Sequence, residues 1–469
     1  MNQLLPAAMA PALISWLSLA AAGSPADAPG PMRVGVAIAD TTPEEPVNQW
    51  GFGGRKRPSD GIARQTQAQC VLFDNGQTRV ALVALDMGSI SYQQLLRLRA
   101  SAEKAGIPQQ HLMVNVSHTH YTSGLGGDRN LEYDALLSER LQPLFADAVA
   151  DLKPALLDYT VGSCDMGFNR RSCYGPGGRK PIDPDVPVLR VLEPDGKVRA
   201  VLFGYACHPT TASGRMLYLV DTDYPGYARD WVSQAYSGAP TIFFQGCGGD
   251  VKPGLSGDAA SVWRAGPLNE REAKTTMGYE LGRAVVKATA GHGSSHPTPP
   301  PLPPAAAAAG RMPTERERGF PIPPPPVPAD RPTDLEKALA TPVALGGIVE
   351  VVAMPSKTDP EVKGRLLWHT GAWRVGDVYF FAGQGEVLSA IGRRIKTELP
   401  ELRVWTCGYS HYGSGYFPEA ATFPEAGYEV QNAVFGPGAE EVMVGNALRY
   451  IKELQTQPIH RAPVPRSVP

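Results

Sequence analysis

The sequence predicts an α/β fold in which mixed β-sheets are layered with helices in one large catalytic domain. Short apolar runs alternate along the chain with amphipathic stretches of helical period, and that alternation is typical of an α/β protein. Several of the runs end in small or polar residues, which is where α/β sheets usually place their sites. No internal repeat is visible, and candidate site residues occur on both sides of a proline-rich segment, which favours one domain.

Each predicted element follows from its local pattern. Strands are expected over short uninterrupted apolar runs, and helices where apolar positions recur at helical spacing. In chain order we predict strand 80–85, helix 92–105, strand 112–116, helix 132–152, strands 188–192, 201–206, 241–244 and 378–382, helix 387–399 and strand 402–407.

The two ends of the chain and one internal segment differ from the rest in composition. Residues 1–22 form an apolar stretch that closes on small residues, as a secretory signal peptide does. We therefore expect a secreted or periplasmic protein with its catalytic domain over 33–457, although the lack of Lys and Arg near the start leaves a membrane-retained N-terminus open. Residues 296–332 are dense in proline and predict a linker or surface insertion, and the tail 458–469 is expected to be disordered.

Overall composition excludes some classes of partner. The 469 residues are 43% hydrophobic and 19% charged, with a formal net charge of −2. Such a chain can bury a large core. It has no net attraction for nucleic acid or for an anionic membrane surface, so we expect no nucleic-acid partner. Substrate choice must therefore come from a local site.

The six cysteines are scattered, without the Cys-x-x-Cys pair of a structural zinc site. Disulfides are allowed in an exported protein. Cys164 and Cys173 flank a short loop and are the best candidates for one, whereas Cys207 and Cys247 lie at apolar strand ends and are expected to be buried free thiols.

Two distant apolar runs each end in histidine. One leads into Ser117-His118-Thr119-His120, and the other into Cys207-His208-Pro209. Alternate side chains of a strand share a face, so His118 and His120 are expected to point the same way. Three histidines at strand ends suit zinc, whose catalytic sites combine imidazole with oxygen ligands and keep one position open for water. A lone His-x-His pair is more often incidental, so the prediction depends on the other strand ends.

Those other strand ends carry a glycine-rich turn, a carboxylate and an aromatic loop. The turn 245–250 contains three glycines, which permit close backbone approach. Glu386 follows a strand and is expected at a helix start, where the macrodipole would stabilise its ionised form. A simple helix-capping role is the alternative for that carboxylate. The loop 408–416 is rich in glycine and aromatic residues.

Taken in order, these stretches resemble the catalytic domain of the neutral/alkaline non-lysosomal ceramidases and of related bacterial hydrolases. The resemblance runs from about residue 35 to 445. The matching stretches are Ser117-His118-Thr119-His120 with Gly124, Gly126 and Gly127; Cys207-His208-Pro209-Thr210; Gly249-Asp250-Val251 with Pro253; Gly385-Glu386; and Gly415-Tyr416 leading to Tyr428-Glu429-Val430-Gln431.

The resemblance implies one zinc ion per chain and a set of ligands for it. By position, His118, His208, Glu386 and Tyr416 match the ligands, and His120 matches the residue that handles the proton of the bound water. Zinc would activate that water and polarise the carbonyl, while imidazole can pass a proton to a leaving amine.

Two of the matched residues have alternative roles. Tyr416 could instead donate a hydrogen bond to the oxyanion. Arg170 resembles an arginine that lines the family's site, and a surface salt bridge is the alternative.

The chain departs from the family at two positions near the site. Lys252 stands where the ceramidases have serine, which excludes a serine acyl-enzyme there and favours direct attack by metal-activated water. Ala433 stands where they carry a tyrosine near the substrate, so the pocket is expected to differ in detail. The family's immunoglobulin-like C-terminal domain has no counterpart, and we expect weaker engagement of bilayer lipid, with a peripheral membrane contact left open.

The sequence therefore predicts a zinc-dependent amidohydrolase that cleaves an N-acyl bond, in ceramide or a related N-acyl lipid, to a fatty acid and an amine. A zinc esterase or amidase on a more polar acyl substrate is the first alternative, weakly favoured by Lys252. A non-catalytic exported binding protein on a hydrolase scaffold is the second. A two-metal phosphoesterase ranks last, because no second cluster rich in Asp and Asn is found. Acyl chain length and oligomeric state are not fixed by the sequence.

Overall fold

The computed structural model describes residues 31–124, 130–173, 180–211, 214–254, 270–290, 339, 343–357, 366–413 and 415–456. The predicted signal peptide (1–22), the proline-rich insertion (296–332) and the predicted tail (458–469) lie outside the described residues, as do Gly126 and Gly127. Within the described ranges, no helix has the length and apolar character needed to cross a bilayer.

The described chain contains nineteen strands, several of them very short. They are β1 Arg33–Asp40, β2 Gly61–Ile62, β3 Gln67–Asp74, β4 Arg79–Leu85, β5 Leu112–Val116, β6 Lys153–Pro154, β7 Leu156–Ser163, β8 Gly167–Asn169, β9 Asp185–Leu192, β10 Val198–Tyr205, β11 Leu219–Val220, β12 Thr241–Gln245, β13 Val251–Pro253, β14 Leu345–Met354, β15 Leu366–Val375, β16 Val378–Gln384, β17 Glu386–Val387, β18 Arg403–Ser410 and β19 Tyr416–Phe417.

Helices connect the longer strands. The α-helices of the described ranges are α1 Tyr92–Lys104, α2 Leu131–Leu141, α3 Leu144–Ala150, α4 Tyr224–Ala235, α5 Glu270–Ala288, α6 Ser389–Thr397, α7 Tyr428–Gln431 and α8 Ala439–Thr456. Single 3₁₀ turns cover Gln109–His111, Arg170–Cys173, Gly214–Tyr218 and Ala420–Glu425.

Two sheets pack face to face between two layers of helices. The large sheet has nine strands in the order β14-β15-β16-β18-β5-β4-β3-β1-β6, and the small one has the order β12-β10-β9-β7. One hydrophobic cluster lies between the sheets and takes side chains such as Phe73, Leu202 and Trp405 from both. Helices α1, α2, α3, α6 and α8 cover the outer face of the large sheet, while α4 and α5 cover that of the small one. The α/β fold with mixed, layered sheets is thus confirmed.

The large sheet is built from two copies of one topology, which the sequence does not reveal as a repeat. In the first copy β3 and β4 form a hairpin, and β5 then returns parallel to β4. In the second copy β15 and β16 form a hairpin, and β18 returns parallel to β16. The copies meet at an antiparallel pair between Asn115 and Ser410, near the carboxyl ends of β5 and β18. This junction brings loops from both halves of the chain together.

Some predicted elements need correction. The helix expected over 132–152 is two helices, α2 and α3. Pro143 precedes α3 and lacks the amide hydrogen that a continuous helix would need. The helix expected from 387 begins at Ser389, so Glu386 lies before it, in β17.

The disulfide expected between Cys164 and Cys173 is wrong. Cys164 is a free thiol that follows β7 and packs into the core beneath the small sheet, beside Met166. The side chain of Cys173 lies outside the described residues. The prediction that Cys207 and Cys247 are buried free thiols is confirmed.

Candidate metal and active site

His118 is held just beyond β5 by backbone carbonyls of the β4–α1 loop. Its amide donates to the carbonyl of Met87 over 2.9 Å, and its Nδ1 lies 2.7 Å from the carbonyl of Gly88. A carbonyl can only accept, so Nδ1 carries the proton and Nε2 presents a lone pair. The φ angle of His118 is +62°, a conformation that side chains with a Cβ rarely adopt.

The expectation that strand alternation orients His118 and His120 is wrong. The strand β5 ends at Val116, so strand alternation does not set the direction of the two rings. The left-handed turn at His118 does so instead. The two rings nevertheless converge, with the Nε2 atoms of His118 and His120 3.3 Å apart.

His208 lies beyond β10 and is held in the same way as His118. Its amide donates to the carbonyl of Val251 over 2.9 Å, and its Nδ1 lies 2.8 Å from the carbonyl of Gly248. Its Nε2 therefore also faces inward, and it lies 3.0 Å from Oε2 of Glu386. The side chain is completely buried.

His120 completes the cluster but is held less firmly. Its amide donates to the carbonyl of Pro209 over 3.4 Å, and its Nδ1 is buried without a hydrogen-bond partner among the described residues. Ligand nitrogens of His118, His120 and His208 lie within 4.8 Å of one another. Burial, followed by the neighbouring His118, holds the pKa of His120 well below its usual value. The ring is therefore neutral near pH 7.

Glu386 supplies a carboxylate to this cluster. Its Oε2 lies 3.0 Å from Nε2 of His208 and 3.6 Å from Nε2 of His118. Burial acts to raise the pKa of Glu386, but the adjacent His118 and His208 outweigh it and hold the pKa well below its usual value. The proposed helix-start position is wrong, since β17 places Glu386 directly opposite Tyr416 of β19.

Tyr416 and Arg170 form one wall of the site. The Tyr416 ring stacks on that of His208, at 6.4 Å between centroids and 15° between planes. The Arg170 guanidinium lies 5.3 Å from the centroid of the Tyr416 ring. Burial, followed by the charge of Glu386, raises the pKa of Tyr416 well above its usual value. The structure thus brings every site residue predicted from the sequence to one place, and their roles remain predictions.

The glycine-rich turn after β12 fixes the position of Glu386. A Cβ on Gly249 would stand 2.5 Å from the Glu386 carbonyl oxygen, so only glycine fits there without displacement. The next residue, Asp250, accepts from the Ser389 amide over 2.8 Å and from Asn169 Nδ2 over 2.7 Å. Asp250 therefore ties together the elements that carry Glu386 and Arg170, and its role is structural.

Two residues near the site were not singled out from the sequence. Tyr409 places its ring 4.4 Å from that of His118 and its hydroxyl 3.3 Å from Nδ1 of His208. Glu429 is completely buried and pairs with both Arg170 and Arg171. Neither position has a local signal, because Tyr409 lies near the end of β18 among other aromatic residues and Glu429 follows a tyrosine on a short helix.

The two positions that depart from the ceramidase pattern both lie at the site. The Lys252 ammonium donates to Thr210 Oγ1 over 3.3 Å, two residues beyond His208. Ala433 is buried and forms a parallel bridge with Tyr416. Both substitutions therefore alter the immediate surroundings of the cluster.

The donor set fits a divalent cation. If Nδ1 of His208 donates to Gly248, its Nε2 lone pair faces the Glu386 oxygen at 3.0 Å, which is repulsive unless a cation lies between them. Burial, followed by the charge of Lys252, lowers the pKa of His208, so a proton in that position is disfavoured near pH 7. Two ligand atoms on a tetrahedral zinc stand roughly 3.4 Å apart. The separations of Glu386 Oε2 from Nε2 of His208 and of His118, 3.0 and 3.6 Å, bracket that value.

Solved structures share this fold. The chain is similar to the crystal structure of neutral ceramidase from Pseudomonas aeruginosa, with a TM-score of 0.66 and 18% identity, covering 92% of this chain and 76% of that one. A structure of ceramidase complexed with C2 matches with a TM-score of 0.65, 18% identity, and coverage of 92% and 77%. No family model matches the chain. The resemblance to ceramidases is thus confirmed at the level of the fold, and the activity must be argued from the site.

Proposed function

We propose that this chain is a zinc-dependent amidohydrolase that cleaves the N-acyl bond of ceramide or a related N-acyl lipid to a fatty acid and an amine. One observation carries the proposal. The Nε2 atoms of His118 and His208 converge on the Glu386 carboxylate, while their Nδ1 atoms are committed to backbone carbonyls. That arrangement orients both rings as metal ligands and fixes their tautomer.

In this proposal His118, His208, Glu386 and Tyr416 would hold one zinc ion. Bound zinc would lower the pKa of a water molecule and polarise the acyl carbonyl. The carboxylate of Glu386 would balance part of the metal charge in this buried site. The solved structures with this fold are ceramidases, and we extend hydrolysis of an acyl amide from them to this chain.

His120 is proposed to carry the proton. Amide hydrolysis breaks the C–N bond, and the departing nitrogen must gain a proton to leave as an amine. Nε2 of His120 lies 3.3 Å from Nε2 of His118, so a ring nitrogen of His120 faces the cluster. Its neutral state near pH 7 allows it to accept a proton from the attacking water and pass it to the amine.

Tyr416 and Arg170 are proposed to stabilise the oxyanion that forms when the carbonyl is attacked. The Tyr416 hydroxyl interacts with both Glu386 and Arg170. Hydrogen-bond donors placed where negative charge develops stabilise an acyl-transfer transition state. Lys252 occupies the position where a serine nucleophile would be needed, so the attack on the carbonyl is direct.

The experiment is hydrolysis of a short-chain fluorescent ceramide by the full chain before and after removal of metal. We expect fatty acid release from the zinc-loaded protein, loss of release after chelation, and recovery on adding zinc. Release that is unaffected by complete removal of metal would contradict the mechanism. Stoichiometric zinc with no turnover of any acyl amide would instead favour the exported binding protein. We also propose that the protein is exported to the periplasm or the medium, on the basis of its apolar residues 1–22.

A further inference from the structure

Lys252 places a positive charge at the edge of the metal cluster. It lies on β13, which pairs with β8, and its Nζ donates to Oγ1 of Thr210 over 3.3 Å. Thr210 is itself tied to the cluster, because its amide donates to the carbonyl of His208 over 3.0 Å. The ammonium group is therefore linked through Thr210 to the backbone of the proposed ligand His208.

No carboxylate of the described residues pairs with this ammonium group. The nearby guanidinium groups are matched, since Arg170 pairs with Glu429 and Arg171 pairs with Glu429 and Glu425. Lys252 has no carboxylate oxygen within ion-pair distance in the described part of the chain, and Thr210 is its hydrogen-bond partner there.

A charge in this position is unfavourable in the free protein. Burial, followed by the positive charge of Arg170, lowers the pKa of Lys252 to about 7. A divalent cation held by the neighbouring histidines would repel the ammonium group further. Both effects would be relieved by an anionic group that binds between the metal and Lys252, because a partly buried charge is stabilised by an opposite charge.

We propose that Lys252 binds a carboxylate of the substrate, so that the preferred substrates are N-acyl amino acids rather than uncharged N-acyl lipids. This inference rests on the proposed amidohydrolase function and narrows it. In an N-acyl amino acid one carbon separates the amide nitrogen from the carboxylate, so one compact substrate would offer a carbonyl to the metal cluster and a carboxylate to Lys252. Water would add hydroxyl to the acyl carbon and hydrogen to the nitrogen, releasing a fatty acid and a free amino acid.

The test compares N-lauroylglycine with N-lauroylglycinamide, which lacks the negative charge but keeps the shape. The measured quantity is the ratio of kcat/KM for the two substrates in wild type, Lys252→Met, Lys252→Arg and the surface control Lys153→Met. We expect wild type and the control to favour the carboxylate, the methionine variant to reduce the ratio roughly 10- to 100-fold, and the arginine variant to keep most of it. An equal ratio in wild type and Lys252→Met would overturn the inference.

Binding of the same two compounds to the zinc-loaded chain separates this inference from the proposed function. Turnover of ceramide with an unchanged ratio in Lys252→Met would overturn the role of Lys252 and leave the amidohydrolase standing. Binding of N-lauroylglycine that depends on Lys252, without turnover of either compound or of ceramide, would overturn the amidohydrolase and keep the carboxylate site. Zinc content and thermal unfolding of each variant establish that it is folded.

Discussion

Oε2 of Glu386 lies 3.0 Å from Nε2 of His208, across a sequence separation of 178 residues. The opposite nitrogen of the same imidazole lies 2.8 Å from the carbonyl of Gly248. Neither neutral tautomer of His208 satisfies both contacts, because each leaves a nitrogen lone pair facing an oxygen. A metal ion between His208 and Glu386 resolves the conflict.

Gly249→Ala should weaken metal binding. The new Cβ would stand 2.5 Å from the Glu386 carbonyl oxygen and 2.9 Å from Cδ1 of Leu388, which forces the carboxylate away from the histidines. We expect zinc affinity to fall roughly 10- to 100-fold, as it does when groups that orient metal ligands are disturbed. Competition with a chromophoric chelator measures the affinity. Gly445→Ala in α8 is the control, because a Cβ there meets no atom within 4 Å. Equal affinity in the two variants would contradict the prediction.

His120→Ala should separate metal binding from catalysis. If His120 moves protons and does not ligate, the variant keeps its zinc and loses turnover by roughly 10²- to 10⁴-fold. Zinc analysis of the purified variant and initial rates of acyl amide hydrolysis give the two quantities. Loss of zinc from this variant would show instead that His118, His120 and His208 form the ligand set, as their clustering within 4.8 Å also permits.

Glu429→Gln should destabilise the fold and loosen Arg170. The carboxylate is completely buried and pairs with two guanidinium groups, so its neutralisation removes the negative charge that both of them face. Breaking a buried ion pair in this way costs on the order of 3 kcal/mol in the free energy of unfolding. Urea denaturation of wild type and variant at equal zinc loading measures this loss of free energy. Glu441→Gln, which removes a surface partner of Arg394, should give no measurable change. A loss of free energy of unfolding no larger than that of Glu441→Gln would contradict the prediction.

Stability should fall below pH 6.5 in a way that depends on His369. Burial, followed by the charge of Arg99, lowers the pKa of this histidine to about 4. Between about pH 6.5 and 4 the unfolded chain therefore binds a proton that the folded chain does not. The stabilisation is complete above pH 6.5 and is lost as the pH falls toward 4.

Comparison of pH 7 with pH 5 tests this dependence. From the shift, wild type should lose about 2 kcal/mol more of its free energy of unfolding than His369→Gln. Metal release at low pH contributes equally to both proteins, since His369 is not among the proposed ligands. The difference between wild type and His369→Gln therefore excludes that contribution. The same pH dependence in both proteins would be evidence against the role of His369.

Local sequence patterns predicted strands that lead into the site. The predicted strand 112–116 agrees with β5, and the run 241–244 falls one residue short of β12. These elements form from continuous apolar runs whose signal is contained in a few neighbouring residues. The resemblance then added roles for Glu386 and Tyr416, whose pairing between β17 and β19 no local pattern predicts.

Features that depend on distant contacts were missed. The two copies of one topology in the large sheet share little sequence, yet each ends in the dipeptide Ser-His, at Ser117-His118 and at Ser410-His411. Both histidines adopt a positive φ, of 62° and 66°. The ion pairs of Glu429 likewise span more than two hundred residues, as in the sequence separation of 258 to Arg171. Such relationships become visible only when the chain is folded.

The most direct test of the central claim measures bound zinc per chain together with fatty acid release in wild type, His118→Ala and His111→Ala. Release is followed with a short-chain fluorescent ceramide and with N-lauroylglycine. His111 is the matched control, because it lies in the 3₁₀ turn that precedes β5 and its Nδ1 lies 3.0 Å from the carbonyl of Arg79. We predict about one zinc per chain and metal-dependent release in wild type and in the control, with both lost in His118→Ala. Zinc and release retained in His118→Ala would contradict the proposal.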